Sequence, residues 1–324
     1  MNIGVIMDYF SGIVGQDRAV KLIKKSIAHA STSHAYLFSG PAGVGKMQAA
    51  MAFARSLIEL EDKQAGVYFN EEMHPDLLII EKLENRSLIG KEQISRQLEP
   101  WLALKPYRAE HRVAIIRDAH LMSLEAANAL LKTLEEPPIY ALIILICDDE
   151  NILETIVSRC QLVRFFPVTE KELIEFLRAR GFDREKASRA VRLGQGSVAS
   201  ALRFVEEEGL EEIWEAALGL IRDMAQGDRA AIFEAAEKMQ PAPDLIIRIV
   251  ETILRDALVI GGGNQDLLLA PEAPEIISLL QAKDPGRLMT AIMEIEKLKT
   301  YYRRNVNTLL LNTSIGYQLW NALQ

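Results

Sequence analysis

The sequence predicts a protein of the α/β class, with a parallel five-stranded sheet covered by helices in its first half and an all-helical second half. Two patterns indicate this fold. Up to about residue 166, five short apolar runs alternate with helical patterns, which is typical of a parallel sheet with helices on both faces. After Pro167, only helical periodicity remains. The 324 residues have room for two or three domains, at ~100–200 residues per domain.

The five apolar runs are the predicted strands, and each is apolar at successive positions rather than at every second one. Strands with this pattern are buried on both faces, as in parallel sheets. We place them at residues 35–38, 77–80, 113–116, 141–146 and 162–166. Two helices between them have apolar residues on one face, at Met47, Ala50, Met51, Ala54 and Ile58, and, after Ser123, at Leu124, Ala127, Leu130, Leu131 and Leu134.

The helical second half divides into two predicted domains. Thr169 and Glu172 have the spacing of a capping box, which starts a helix that Gly181 ends. Two further helical stretches, 184–193 and 198–208, complete a small three-helix lid. Helical periodicity then continues to the last residue, with breaks at 241–243, 261–263 and 271–274. We therefore predict a sheet domain at 1–166, a lid at 167–209 and a helical domain at 210–324.

Composition excludes several classes of protein. The net charge of −8 argues against a surface that binds nucleic acid over its whole extent, because such binding depends on clustered Lys and Arg. The two cysteines, Cys147 and Cys160, are too few for a disulfide framework or a cysteine-rich zinc module. The longest apolar run, 139–147, is about half of the ~20 residues that a membrane helix needs. We expect a cytoplasmic protein without a secretory signal or a membrane contact.

A glycine-rich loop joins the first predicted strand to the following helix. Gly40, Gly43, Gly45 and Lys46 have the spacing of a phosphate-binding loop, in which backbone N–H groups and the helix N-terminus hold phosphate oxygens and the lysine contacts the terminal phosphates. The next residue is Met47, where such loops have Ser or Thr to bind Mg²⁺. A thioether is a poor ligand for a hard cation, so the loop is degenerate at this position.

The strand that should supply acidic residues is degenerate as well. The predicted strand 113–116 is followed by Arg117, Asp118 and Ala119. In one register Arg117 replaces the metal-binding Asp and Asp118 replaces the catalytic Glu; in the other, Asp118 holds the metal and Ala119 replaces the base. Either register leaves one carboxylate. We expect no hydrolysis and no required cofactor or metal, while ATP or ADP binding stays open because Lys46 and the glycines are present.

Five motifs resemble those of one known family. They are residues 10–16 (FSGIVGQ), 34–40 (HAYLFSG), 74–76 (HPD), 126–138 (AANALLKTLEEPP) and 158–160 (SRC). Together they resemble the motifs of bacterial DNA polymerase III clamp-loader subunits, which are members of the AAA+ class. The segment 303–307 (RRNVN) resembles part of the collar domain of this family. The resemblance spans nearly the whole chain and is thin between 210 and 295.

The resemblance implies a RecA-like AAA+ domain, a lid and a collar that joins subunits into a ring. It also implies that Arg159, between Ser158 and Cys160, is an arginine finger that acts in trans on ATP held by a neighbouring subunit. A surface salt bridge is the alternative for Arg159. Cys160 is expected to be a packing residue rather than a nucleophile, because no His is placed by sequence to activate it.

Three departures from the family accompany the resemblance. Residues 56–75 lack the four cysteines of the family's zinc module, so no zinc is expected. Ala199 stands where hydrolysing relatives have an arginine after the lid motif, and 146–147 replace the polar pair that senses the terminal phosphate. The histidines at 29, 34, 74, 111 and 120 have no metal-ligand spacing, and ordinary polar roles are expected for them.

The expected function is that of a non-hydrolysing clamp-loader subunit, without polymerase activity of its own. Its expected partners are gamma/tau-like motor subunits, a delta-like subunit, the sliding clamp indirectly, and primed DNA in the assembled complex. Two alternatives stay open: an active ATPase of the same family, and a stand-alone nucleotide-binding or DNA-binding module. The basic residues Lys91, Arg96, Lys105, Arg108 and Arg112 are expected to form a solvated face rather than a DNA contact.

Overall fold

The computed structural model describes residues 9–28, 32–70, 74–84, 86–148, 152–227, 229–261, 268–271, 273–303 and 306–324. The chain divides into two compact units. The first comprises the described residues up to Phe176 together with Gly196–Ala199, and the second comprises Leu177–Gln195 and the described residues from Ser200 onward. This division assigns the turn at 196–199 to the sheet unit, and the finer boundaries at 166 and 209 stay predictions.

The first unit is built on a parallel sheet of five strands. The strands are β1 (Ala35–Ser39), β2 (Leu77–Ile80), β3 (Arg112–Ile116), β4 (Ala141–Cys147) and β5 (Gln161–Arg164). Their order is β2-β3-β4-β1-β5, with Ala35 of β1 opposite Ile143 of β4 and Tyr36 opposite Gln161 of β5. The predicted fold class is confirmed. The fifth strand ends before Phe165, two residues earlier than predicted.

Helices cover both faces of this sheet. They are α1 (Asp17–Ala28), α2 (Lys46–Glu59), α3 (Ala65–Asn70), α4 (Lys91–Gln93), a π-helix (Ile94–Leu98), α5 (Glu99–Ala103), a 3₁₀ turn (Ala119–Leu121), α6 (Leu124–Glu135) and α7 (Glu154–Val157). Alternate strand residues enter opposite apolar clusters: Tyr36 and Phe38 pack with α1, α2 and α3, while Leu37 packs with α6 and the helical turns before β3. The hydroxyl of Ser123 accepts the N–H of Ala126 and so caps α6, as predicted.

The remaining helices lie after residue 169, and the described residues of the second unit form helices and connecting turns without a strand. The helices are α8 (Glu170–Ala179), α9 (Arg184–Gly194), α10 (Val198–Glu206), α11 (Leu210–Gln226), α12 (Ala231–Lys238), α13 (Pro243–Gly261), α14 (Pro274–Gln281), α15 (Pro285–Lys299), a 3₁₀ turn (Thr300–Arg303) and α16 (Thr308–Leu323). Glu172 accepts the N–H and hydroxyl of Thr169, which confirms the predicted capping box. Among the described helices, none is long and apolar enough to cross a membrane.

Candidate functional site

The glycine-rich loop lies at the carboxyl end of β1, where ligands of open parallel sheets bind. Gly40 and Gly43 have φ angles of 149° and 74°, in the left-handed region that favours glycine. A side chain at Gly40 would lie 2.2 Å from the carbonyl oxygen of Phe165, and one at Gly43 would lie 2.3 Å from Oγ of Ser197. Contacts within the protein therefore require both glycines, whether or not a phosphate is bound.

Two segments bond directly to this loop, and a third, which follows β5, joins those two segments to each other. The side chain of Gln16 donates to the carbonyl oxygens of Val44 (3.3 Å) and Phe166 (2.7 Å) and accepts the N–H of Phe166 (3.1 Å). Ala199 donates its N–H to the carbonyl oxygen of Gly43 at 3.1 Å. The turn at 196–199 is itself joined to the segment after β5, because Val168 donates to the carbonyl oxygen of Gly196. The loop is thus bonded to the N-terminal segment and to the turn at 196–199.

The ammonium of Lys46 is buried and bonded to its own chain. Nζ donates to the carbonyl oxygens of Gly40 and Pro41 and forms an ion pair with Oδ1 of Asp148 at 2.9 Å. The side chain of Lys46 is 4% exposed and that of Asp148 is 21% exposed. An ammonium has three N–H donors, so these three acceptors match its full capacity. A phosphate at this position would have to replace at least one of them.

Asp148 is a functional candidate that the sequence reasoning missed. It follows β4 directly, and parallel strands bring their carboxyl ends to one edge, so an acidic residue after a buried run was the available signal. One ligand atom each of Asp118, His120 and Asp148 lies within 4.8 Å of the other two. Two carboxylates and an imidazole are donors that a divalent cation accepts. The ion pair with Lys46, however, already neutralises one of these carboxylates.

The three degenerate positions point in different directions. Asp118 has a left-handed backbone conformation, with φ 52°. Its carboxylate lies close to that of Asp148, which forms the ion pair with Lys46. Arg117 is about half exposed and pairs with Glu81 after β2, at 3.3 Å. The partly buried Met47 packs against the apolar cluster between the sheet and α2. Neither Arg117 nor Met47 offers an oxygen ligand. Of the carboxylates at this edge, Glu81 pairs with Arg117, while Asp118 and Asp148 lie close to each other.

The Ser158-Arg159-Cys160 turn lies at the opposite edge of the sheet. Lys46 follows the carboxyl end of β1, whereas Arg159 precedes the amino end of the neighbouring parallel strand β5. Four residue pairs join these strands, a length of ~13 Å at ~3.3 Å per residue. Arg159 is therefore separated from the glycine-rich loop of its own chain by at least the length of a strand.

Arg159 contacts three groups of its own chain. Its Nη2 donates to Oε1 of Glu135 at 2.6 Å, and its Nη1 donates to the carbonyl oxygen of Thr155 at 3.0 Å and to Oγ of Ser158 at 3.4 Å. The salt bridge weighed from the sequence is present, and the side chain of Arg159 still exposes 34% of its surface. Cys160 packs against the apolar cluster, and burial raises the pKa of its thiol to about 12, which suits packing rather than nucleophilic attack.

The segment at 56–75, where the sequence predicts no zinc, is held by an ion-pair network. His74 is buried, with Nε2 at 3.3 Å from Oδ2 of Asp62 and its ring stacked on Phe69. Asp62 also binds the guanidinium of Arg108, which holds the pKa of the carboxyl well below its usual range. Asp76, which follows this segment, accepts three consecutive N–H groups, those of residues 107–109.

The basic stretch predicted as a solvated face is only partly exposed. Arg112 is buried, lies 3.5 Å from Asp76 and stacks on Trp101, while Arg108 pairs with Asp62. Both arginines therefore form ion pairs within the first unit rather than a solvated basic face. The residues His29, Arg304 and Asn305 and the side chain of Arg303, which the sequence analysis also considered, lie outside the described residues.

Known proteins with similar sequences include subunits of bacterial DNA polymerase III. Residues 15–169 match a sequence family described as "DNA polymerase III, delta subunit". The tau subunit of Bacillus subtilis DNA polymerase III is 29% identical over 95% of this chain and 51% of its own length. The delta prime subunit of the same organism is 27% identical over 90% of this chain and 92% of its own length. The chain thus spans about half of one curated relative and nearly all of the other.

Solved structures are also similar to this chain. A gamma-subunit-related protein of DNA polymerase III from Thermotoga maritima has a TM-score of 0.49 at 17% identity, covering 93% of this chain and 99% of its own. The Bacillus subtilis DNA clamp loader delta protein has a TM-score of 0.38 at 14% identity, with the same two coverages of 93% and 99%.

Proposed function

We propose that this chain, a relative of the delta prime, tau and gamma subunits of the bacterial DNA polymerase III clamp loader, is a delta prime-like subunit that does not hydrolyse ATP. In this proposal it supplies Arg159 to the ATP site of a neighbouring motor subunit. The observation that carries the proposal is the placement of its two candidate cations. Lys46 is buried and bonded within its own chain at one edge of the sheet, and Arg159 is partly exposed at the other.

Absence of hydrolysis is supported by the nucleotide edge. Mg²⁺ bound to ATP needs oxygen ligands from the loop and from the end of β3. Met47 instead packs into the apolar cluster, and Arg117 pairs with Glu81. Lys46 reaches acceptors of its own chain, and Ala199, which has no side chain that could bind a phosphate, contacts the loop through its backbone.

A role in trans is supported by the distance of Arg159 from its own loop. An arginine finger must lie next to the phosphates on which it acts, and a strand length separates Arg159 from Gly40–Lys46 of the same chain. The ATP that Arg159 contacts therefore belongs to another subunit in this proposal. Gamma/tau-like motor subunits and a delta-like subunit are the proposed partners, with the sliding clamp and primed DNA contacted in the assembled complex.

A hydrolysing subunit is the second candidate, and one observation favours it. Asp148 lies beside Asp118 and Lys46, so this edge has two carboxylates where the sequence indicated one. With a bound divalent ion, this pair would stand in place of the two acidic residues of an active site. The ion pair of Asp148 with Lys46 opposes this arrangement.

Turnover by the isolated chain distinguishes the two candidates. We expect no ATP hydrolysis above background, with or without primed DNA and Mg²⁺ or Mn²⁺. The substitution Met47→Thr should not restore it, because Arg117 remains at the end of β3. DNA-stimulated hydrolysis that Lys46→Ala abolishes would show instead that this chain is a motor subunit. A stand-alone module is tested by co-purification, since it would not bind motor or delta-like subunits.

A further inference from the structure

The salt bridge of Arg159 joins two segments that the sequence separates by 24 residues. Glu135 is the last residue of α6, and its Oε1 accepts from Nη2 of Arg159 at 2.6 Å. The other terminal nitrogen, Nη1, donates to the carbonyl oxygen of Thr155 and to Oγ of Ser158. Contacts on two sides of a planar guanidinium fix its orientation as well as its position.

The place of Glu135 in its helix is electrostatically unfavourable. Carboxylates are disfavoured in the last turn of a helix, where the backbone carbonyls carry partial negative charge. A second carboxylate, Glu136, follows at once and adds to the negative charge. Lys132 lies one turn earlier in α6, yet the ion pair of Glu135 is with Arg159. The cation of Arg159 therefore gives a reason for a glutamate at a position that the helix dipole disfavours.

We infer that Glu135 is a positioning residue for the arginine finger. This inference rests on the proposed function of Arg159. By holding Nη2, Glu135 restricts the guanidinium to one orientation before the phosphates of the neighbouring subunit arrive, so less side-chain freedom is lost when they bind. Glu135 itself is half exposed and carries the same sign of charge as ATP, so it acts through Arg159 and not on the nucleotide.

Four variants in the complex reconstituted with its motor and delta-like subunits test this inference. They are Glu135→Gln, Arg159→Ala, the double variant and Glu136→Gln, a matched control that changes the exposed carboxylate next along the chain. We define the Arg159-dependent turnover as the difference between wild type and Arg159→Ala. Glu135→Gln should lower it about two- to fivefold, the effect of losing an exposed ion pair. KM for ATP should be unchanged, and Glu136→Gln should match wild type.

A second readout separates positioning from a structural role. Glu135→Gln relieves the opposition to the helix dipole and also removes the exposed ion pair with Arg159. These two effects are similar in size and opposite in sign, so the melting temperature of the chain should stay near that of wild type. In the background of Arg159→Ala, adding Glu135→Gln should change turnover no further.

Each contrary result has a distinct meaning. If Arg159→Ala lowers turnover and Glu135→Gln does not, or if Glu135→Gln raises turnover, positioning is wrong while the proposed finger stands. An effect of Glu135→Gln that persists without Arg159, or that follows a fall in melting temperature, also overturns positioning. If Arg159→Ala itself has no effect, the proposed finger and the positioning of it both fail.

Discussion

Lys46 and Arg159 are two cations at opposite edges of one sheet, and their surroundings differ. Lys46 is buried and its ammonium contacts three acceptors of its own chain. Arg159 pairs with a half-exposed carboxylate and keeps a third of its side-chain surface open to solvent. Recruiting Lys46 to a ligand means breaking buried polar contacts. The ion pair of Arg159 is worth at most ~1 kcal/mol and leaves part of the guanidinium open to a partner. The buried Lys46 is thus suited to stabilising this subunit, and the partly exposed Arg159 is suited to contacting a partner.

The largest expected effect is at Gly43, where the loop contacts Ser197. Gly43→Ala should lower the free energy of unfolding by about 2–4 kcal/mol, since it combines a left-handed backbone with overpacking. Urea denaturation without nucleotide measures this loss. Gly219, whose added Cβ would meet open space within α11, is the control, and Gly219→Ala should be neutral or stabilising by up to ~1 kcal/mol. Equal effects of the two substitutions would contradict a structural role for the glycine-rich loop.

Lys46 should give the next largest effect on stability. Lys46→Met leaves Asp148 and two carbonyl oxygens without their shared donor, and we expect a loss of about 1–3 kcal/mol in the free energy of unfolding. Adding Asp148→Asn should recover part of this loss, because it removes the carboxylate that has lost its ion pair with Lys46. Arg159→Ala is the comparison, with an expected loss of at most ~1 kcal/mol. Equal losses in the free energy of unfolding for Lys46→Met and Arg159→Ala would contradict the proposed difference between the two cations.

Much of this comparison could be predicted from the sequence, and the missing part has a physical reason. Buried runs and glycine spacing are local patterns, and they placed four strands within one residue of their ends and put the loop between β1 and α2. The ion pair of Lys46 with Asp148 joins residues about a hundred positions apart, and no periodicity reports such a contact. The sequence predicts a solvated face for Arg112, because the chain is acidic overall. Arg112 instead begins a buried strand and pairs with Asp76.

The ion pair of Arg108 is intermediate in burial between those of Lys46 and Arg159, because its guanidinium is partly exposed and its partner, the carboxylate of Asp62, is buried. The pKa of Asp62 is held below its usual range by Arg108, so folding favours the ionised carboxylate. This contribution is complete above the pKa of the unfolded state, ~3.9, and is lost as the pH falls towards the folded-state pKa. The midpoint of urea denaturation should therefore fall between pH 5 and pH 3 by less in Asp62→Asn than in wild type.

Metal addition should have the smallest effect. Asp62 pairs with both His74 and Arg108, and Lys46 neutralises Asp148 in the candidate ligand set of Asp118, His120 and Asp148. We therefore expect that the purified protein holds no stoichiometric zinc and that neither chelator nor added Zn²⁺ shifts its melting temperature. One zinc per chain that survives dialysis against a chelator would contradict this expectation. A rise in melting temperature with Zn²⁺ that Asp148→Asn abolishes would place a metal beside Lys46.

The difference between the two cations is tested most directly by ATP turnover of the reconstituted complex, measured with Lys46→Met or Arg159→Ala in this chain alone. Gel filtration first establishes that both variants assemble. Arginine fingers contribute on the order of 10³–10⁵ in rate at the site on which they act. Turnover at the site facing Arg159 should therefore be almost lost in Arg159→Ala, which lowers the total in part because other motor sites remain active. Lys46→Met should leave the turnover of the assembled complex at the wild-type rate. The opposite pattern, in which Lys46→Met lowers turnover and Arg159→Ala does not, would show that this chain is itself a motor and would contradict the account.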